Sequence, residues 1–136
     1  MQKKIALIGP LLIALGCSAQ AQSLQTPGYT AAQAKRGEAA YVQSCTGCHG
    51  DQLDNGEGDG APALVGPAFV QQWNTKTLDE LFNYLNDSMP ASAPGSLAPT
   101  TNADILAFLL SKNGIAAGAA ELPADAAKLK GMSGPK

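Results

Sequence analysis

Histidine, cysteine and aromatic residues are scarce in this chain, whose 136 residues include one histidine, three cysteines and 5% aromatic side chains. With a single histidine, no second imidazole is available to any cofactor. The sequence contains no catalytic triad, no phosphate-binding loop and no carboxylate pair with an evident substrate cleft. Nine basic residues against eleven acidic ones give a net charge of −2. This balance argues against nucleic acid as a partner, because phosphate binding requires a basic surface.

The apolar run from Ile5 to Leu15 is well short of the roughly 20 residues that a transmembrane helix needs. Lys3 and Lys4 precede this run, and Ala19-Gln20-Ala21 follows it as a small-x-small cleavage site. This order is typical of a secretory signal peptide over residues 1–21. We therefore expect a mature protein that begins at Gln22, lies in the periplasm and is not inserted in the membrane.

Cys17 offers an alternative, because Leu15-Gly16-Cys17 resembles the cleavage signal of a lipoprotein, in which the cysteine would carry a lipid. Ala14 stands where that signal has a larger aliphatic residue, so we expect cleavage after Ala21 instead. Cleavage there removes two lysines and no acid, which lowers the net charge to −4. The remaining residues suffice for one domain.

The only histidine closes the pentapeptide Cys45-Thr46-Gly47-Cys48-His49. Cys-x-x-Cys-His is the attachment site of c-type haem, because the two thiols add to the two vinyl groups of haem and the next imidazole reaches one face of the iron. A thioredoxin-like dithiol would leave His49 unexplained, and no alternating strands and helices surround the motif. The sequence therefore predicts one covalent haem c, with Cys45 and Cys48 as attachment points and His49 as an iron ligand. A second protein ligand would have to be a softer group, such as a methionine thioether.

Three helices are predicted between long segments rich in glycine and proline. The first helix begins after a capping box at Thr30 and ends near Ser44. The second begins after a capping box at Thr77 and spans Leu78 to about Asp87, and the third spans about 102–112. Almost thirty residues between the haem motif and the second helix show neither helical nor strand periodicity in their hydrophobic residues, and we expect them to wrap the cofactor. A short helix is expected near 124–129, followed by a frayed end over 131–136.

These features resemble the class I cytochromes c over nearly the whole mature sequence. The resemblance implies a small all-α fold in which three main helices and long loops surround one haem. We expect a cytochrome domain over residues 30–114, flanked by an N-terminal extension at 22–29 and a C-terminal extension at 115–136. In the family, the second axial ligand is a methionine in a loop before the last helix, often followed by proline. Ser88-Met89-Pro90 matches that pattern.

Met89 is therefore the expected second ligand, with filling of the core as its alternative role. Met132 is the other methionine of the mature chain, but ordering its glycine-rich tail across the haem would cost conformational entropy. The family also has a loop proline whose carbonyl accepts a hydrogen bond from the axial histidine, and Ala61-Pro62-Ala63-Leu64 resembles that loop. A turn-forming role alone is the other possibility for Pro62. Trp73 is expected to donate a hydrogen bond to a haem propionate or to be an ordinary core residue, and Tyr84 is a weaker candidate donor.

Gly37 lies inside the first predicted helix, where glycine costs about 0.5–1 kcal/mol relative to alanine. Members of the family cross their first and last helices at such a glycine, with an aromatic residue four positions later. Tyr41 is that residue here, and Ile105 and Phe108 are the matching positions on the last helix.

The stretch 51–60 contains Asp51, Asp54, Glu57 and Asp59 among glycines. Its spacing does not reproduce the ligand pattern of an EF-hand, so a solvated acidic loop is expected in preference to a calcium site.

A haem with both axial positions filled by protein has no open site for oxygen or peroxide, so we expect a one-electron carrier and not an enzyme. The segments 91–97 and 103–108 resemble cytochromes that accompany quinoprotein alcohol dehydrogenases or are fused to them. That resemblance implies a quinoprotein donor and a terminal oxidase or another cytochrome as acceptor. We expect the carrier to be a monomer. The alternatives are a haem-based sensor or peroxidase-like protein with a labile Met89, and a non-diffusing subunit of a dehydrogenase complex.

Overall fold

A computed structural model describes residues 28–54 and 60–136 of the chain. Within these residues the chain forms six helices, and its strand-like pairing is an isolated bridge between Thr77 and Ser133. The helices are α1 (Ala31–Ser44), α2 (Thr46–His49), α3 (Gly66–Trp73), α4 (Leu78–Ser88), α5 (Pro99–Lys112) and α6 (Ala126–Leu129). The prediction of a small all-α fold is confirmed.

Two parts of the sequence predictions lie outside the described residues. They are the signal peptide with Cys17 and most of the extension at 22–29, and Glu57 and Asp59 of the acidic loop. Among the helices that are described, each is too short or too polar to cross a membrane.

Helix α1 begins at its predicted cap but lacks half of the predicted capping box. The Thr30 hydroxyl accepts a hydrogen bond from the Gln33 backbone N–H at 3.1 Å. The Gln33 side chain does not return to the cap; it is 2% exposed and pairs with the backbone of Leu122. Its Nε2 donates to the Leu122 carbonyl at 3.0 Å, and its Oε1 accepts from the Leu122 N–H at 2.8 Å. A buried peptide needs both of these bonds, whereas a solvent-facing cap can bond to water, so the amide satisfies the peptide.

The crossing of α1 and α5 at Gly37 is confirmed. A Cβ atom built on Gly37 would lie 1.8 Å from the carbonyl oxygen of Asp104 on α5, so the two backbones touch at this point. Beside the contact, the rings of Tyr41 and Phe108 pack with their centroids 5.4 Å apart. On the exposed side, Arg36 binds the Asp104 carboxylate at 2.9 Å. The same guanidinium also reaches Glu121 at 2.9 Å, and these hydrogen bonds raise its pKa.

The structure has one helix that the sequence analysis missed and an earlier start to the last long helix, and a proline lies in the first turn of each. The segment after the haem motif contains α3, which the prediction of a segment without helix missed, and α5 starts three residues earlier than expected. Pro67 and Pro99 lie in the first turns, where the missing N–H of proline removes no helical hydrogen bond. Helix α3 is only eight residues long, and its buried side chains are Phe69 and Trp73. Two buried positions give too little hydrophobic periodicity to predict a helix from the sequence.

The C-terminal end is packed, and the prediction that it is frayed was wrong. The Leu78 N–H donates to the Met132 carbonyl at 2.9 Å, and the Gly134 N–H donates to the Lys76 carbonyl at 2.9 Å. A Cβ atom on Gly134 would lie 2.3 Å from the carbonyl oxygen of Trp73. The tail therefore covers the junction between α3 and α4, where the backbone of Lys76 and Leu78 would otherwise lack these partners.

Gly37→Ala should destabilise the protein by at least about 1–3 kcal/mol, because the added methyl group forces the two helix backbones apart. The sign is diagnostic, since alanine in place of glycine normally stabilises a helix. Chemical denaturation of the variant measures the effect. Gly118→Ala is the matched control, because the nearest atom to its Cβ would be 4.0 Å away. An unchanged free energy of unfolding for Gly37→Ala would contradict the close crossing.

Deletion of residues 131–136 should lower the free energy of unfolding by about 1–3 kcal/mol, given the usual net value of two backbone hydrogen bonds. Deletion of the exposed Lys136 alone serves as the control and should leave stability unchanged. Equal denaturation midpoints for the two truncated proteins would show that the tail contributes nothing.

Candidate haem-binding site

A cavity of about 350 Å³ lies among α1, α2, α3, α4 and α5. This volume is in the range of pockets that bind small molecules and cofactors. No lysine, arginine, aspartate or glutamate of the described residues lines it. All six residues that the sequence predicts to bind the cofactor are found in its lining: Cys45, Cys48, His49, Pro62, Trp73 and Met89.

The haem motif forms a helical turn of its own directly after α1. The Cys45 N–H continues the hydrogen bonding of α1 by donating to the Tyr41 carbonyl at 2.8 Å, and the His49 N–H donates to the Cys45 carbonyl at 2.9 Å. Residues spaced i, i+3 and i+4 share one helical face. This turn therefore brings Cys45, Cys48 and His49 to the same wall of the cavity. Gly50 ends the turn with a φ of 75°, in the region that favours glycine.

The His49 side chain is buried, with 8% of its surface exposed. Its Nδ1 atom lies 2.9 Å from the carbonyl oxygen of Pro62. A carbonyl can only accept a hydrogen bond, so Nδ1 carries the proton and Nε2 keeps its lone pair. An imidazole fixed in this tautomer is suited to metal binding through Nε2.

The two cysteines differ in environment. Cys48 is exposed, whereas burial raises the pKa of the Cys45 thiol to about 11, with a further contribution from the nearby charge of Cys48. Cys45 is therefore a neutral thiol at physiological pH until a thioether replaces it, and the folded pocket does not activate it. Tyr41 borders the same wall; its hydroxyl donates to the Gly50 carbonyl at 2.7 Å, and burial raises its pKa to about 12.

Met89 follows α4 and has left the helical conformation, with φ −120° and ψ 149°. Its side chain is partly buried against the core and lines the cavity. Met132 also packs against the core, but it lies in the tail beside α4 and is not among the residues that line the cavity. Of the two methionines, Met89 is the one that shares a cavity with His49.

Trp73 and Tyr84 form an aromatic wall of the cavity, with ring centroids 5.8 Å apart. Trp73 is 5% exposed, and Lys76 places its Nζ 4.4 Å from the centroid of a Trp73 ring. Tyr84 is 45% exposed. Both side chains line the cavity that would hold the cofactor, and hydrogen bonding to a propionate stays a prediction for each.

The residues around the cavity fit haem c. Two thiols and an imidazole occupy one wall, a thioether is part of the same lining, and the remaining surface is largely apolar with Leu81, Leu85 and Ile105. Such a surface suits the apolar macrocycle, and the donors suit its iron. Calcium has no comparable support: within 28–54 and 60–136, no three His, Cys, Asp or Glu side chains are grouped to hold a metal ion. Asp51 and Asp54 belong to these residues.

Sequence reasoning missed two residues that shape the site. Leu53 is a buried leucine with a φ of 61°, a conformation that costs energy for a residue with a branched side chain, and its carbonyl accepts from the Leu64 N–H at 2.7 Å. Asn113 follows α5, where the sequence indicates only a helix stop, yet its side chain binds the loop that contains Pro62. Neither residue has a local sequence signal, because the partners are distant backbone groups.

The chain matches the family model for cytochrome c oxidase, cbb3-type, subunit III, over residues 32–109. No curated protein matches it significantly. Among solved structures, it is similar to a chain in the crystal structure of the sulfane dehydrogenase SoxCD from Paracoccus pantotrophus, with a TM-score of 0.50 and 23% sequence identity. That similarity covers 80% of this chain and 59% of the other, so it spans less than two thirds of the SoxCD chain. At this level of identity the likeness establishes a common fold.

Proposed function

The chain belongs to the c-type cytochrome family that this family model describes, and we propose that it is a periplasmic one-electron carrier whose haem iron is bound by His49 and Met89. Cytochromes of this family carry electrons, and the cofactor is one covalently attached haem c. When bound, that group supplies an iron centre that alternates between the ferric and ferrous states. We further propose that residues 1–21 are removed as a signal peptide and that residues 30–114 form the haem domain.

The observation that carries the axial assignment is the hydrogen bond between His49 Nδ1–H and the Pro62 carbonyl. It leaves Nε2 as the free donor atom of the only imidazole in the chain, inside the cavity that Met89 also lines. The apolar lining excludes water, which favours the ferrous state, and a thioether ligand acts in the same direction. With His49 and Met89 both bound to the iron, the residues would support electron exchange and would leave no position for a substrate there.

Met89→Leu should abolish the low-spin spectrum of a thioether-bound ferric haem, and the reduced variant should bind carbon monoxide rapidly. Met132→Leu makes the same chemical change outside the cavity and should leave both properties as in the wild type. Optical spectra of the oxidised and reduced proteins report the result. A wild-type spectrum for Met89→Leu would rule out Met89 as the ligand.

For the electron donor, we propose a quinoprotein dehydrogenase, with a terminal oxidase or another cytochrome as acceptor. The sequence resemblance in 91–97 and 103–108 supports a quinoprotein donor, and the occurrence of the same fold in a chain of a sulfane dehydrogenase structure supports a dehydrogenase only in general. The two segments have different positions. Most of 103–108 is buried in α5, whereas Ala91 and Ser92 are exposed and line the cavity. The loop over 91–97 is therefore the segment that can contact a partner.

Redox encounters of this kind use small interfaces of under about 1,200 Å² that separate quickly. Oxidised protein at micromolar concentration, mixed with a quinoprotein alcohol dehydrogenase and its alcohol, should develop the ferrous absorption band. The same mixture without alcohol is the control and should stay oxidised. Absence of reduction in the complete mixture would eliminate this class of donor while leaving the axial ligands unaffected.

A further inference from the structure

Asn113 makes more side-chain hydrogen bonds than the end of a helix requires. Its Nδ2 donates to the carbonyl of Leu109 at 2.8 Å, which closes the last turn of α5. The same group donates to the carbonyl of Leu64 at 2.9 Å, and its Oδ1 accepts from the N–H of Gly66 at 3.2 Å. The Asn113 amide therefore binds the backbone on both sides of Val65.

These two partners lie two and four residues after Pro62, whose carbonyl accepts the hydrogen bond from His49. The Leu64 N–H is held in turn by the Leu53 carbonyl at 2.7 Å. Three backbone groups within two to four residues of Pro62 are thus fixed, and two of the three are fixed by Asn113. Gly66, which has a φ of 79°, also begins α3, so the same amide places the helix that carries Trp73.

We propose that Asn113 is a positioning residue that holds the Pro62 carbonyl against His49 and thereby sets how strongly this imidazole donates to the haem iron. The inference rests on the proposed function, because it takes His49 as the axial ligand. A hydrogen bond from the outer nitrogen of a ligating imidazole to a carbonyl makes the imidazole a stronger donor. Stronger donation favours the ferric state, so a loosened carbonyl raises the reduction potential. His49 is 8% exposed, which limits how far water can replace the carbonyl.

The test compares Asn113→Ala and Asn113→Asp with Ser111→Ala in the haem-loaded protein. Asn113→Ala loses every side-chain bond. Asn113→Asp keeps an acceptor for Gly66 but has no N–H for Leu64, and it serves if the alanine variant does not fold. Ser111→Ala is the matched control, because its hydroxyl donates at 2.7 Å to the Phe108 carbonyl in the same turn of α5 and is not bonded to the Pro62 loop.

Two readouts separate positioning from simple stabilisation: solvent exchange of the His49 Nδ1 proton, followed by NMR in the reduced protein, and the reduction potential. Each Asn113 variant should exchange this proton about tenfold faster or more, the usual equivalent of one lost hydrogen bond. Its reduction potential should become more positive. Ser111→Ala should match the wild type in both.

Asn113 variants that lose stability but keep the wild-type exchange rate and potential would overturn the inference. Failure of the proposed function looks different. In that case the wild-type ferric protein itself would lack the hyperfine-shifted resonances of an iron-bound imidazole.

Discussion

The close backbone contact between Gly37 and Asp104 is the constraint from which the rest of the site follows. It fixes α1 against α5 at one point, since any side chain at position 37 would occupy the space of a carbonyl group. Helix α1 ends in the haem motif, and the loop that contains Met89 enters α5. The elements that carry these two walls of the cavity are therefore joined through a contact that lies outside the cavity. A protein with few aromatic residues gains from this arrangement, because helices that touch through their backbones need little side-chain volume between them.

Buried side-chain amides also stabilise this fold, in two cases by binding backbone groups that no helix satisfies. Gln33 pairs with the peptide of Leu122, and Asn113 binds the loop after Pro62. A third amide, Asn102, is 1% exposed and donates to Asn86 at 2.8 Å between α5 and α4. The Gln33 and Asn113 amides each donate and accept, so one side chain can replace a short stretch of β-ladder. Asn102 Oδ1, by contrast, is buried and accepts no hydrogen bond from the described residues. The long segments outside the helices are thus held in place without regular secondary structure.

Most of the helical framework could be predicted from the sequence, because its signals are local. The Thr77 backbone N–H donates to the Glu80 carboxylate at 2.9 Å, as the sequence of that capping box predicts, and α4 begins there. The composition of the cavity wall could also be predicted, since the spacing of Cys45, Cys48 and His49 places them on one helical face by itself. The parts that could not be predicted depend on distant partners. The Asn113 amide binds a carbonyl 49 residues away, and the Gln33 amide binds one 89 residues away. The short α3 and the packed tail gain their order from such contacts and not from their own composition.

The packed C-terminal segment also bears on the order in which the protein is made. Chains emerge with the N-terminal part first, so the haem motif is present before the segment that pairs with Gln33 and covers the junction between α3 and α4. In the finished fold the Cys45 thiol is buried, which raises its pKa to about 11, and no residue of the C-terminal segment lines the cavity beside it. The C-terminal segment can therefore reach its place after the haem motif has met haem, because it closes over α3 and α4 without entering the cavity.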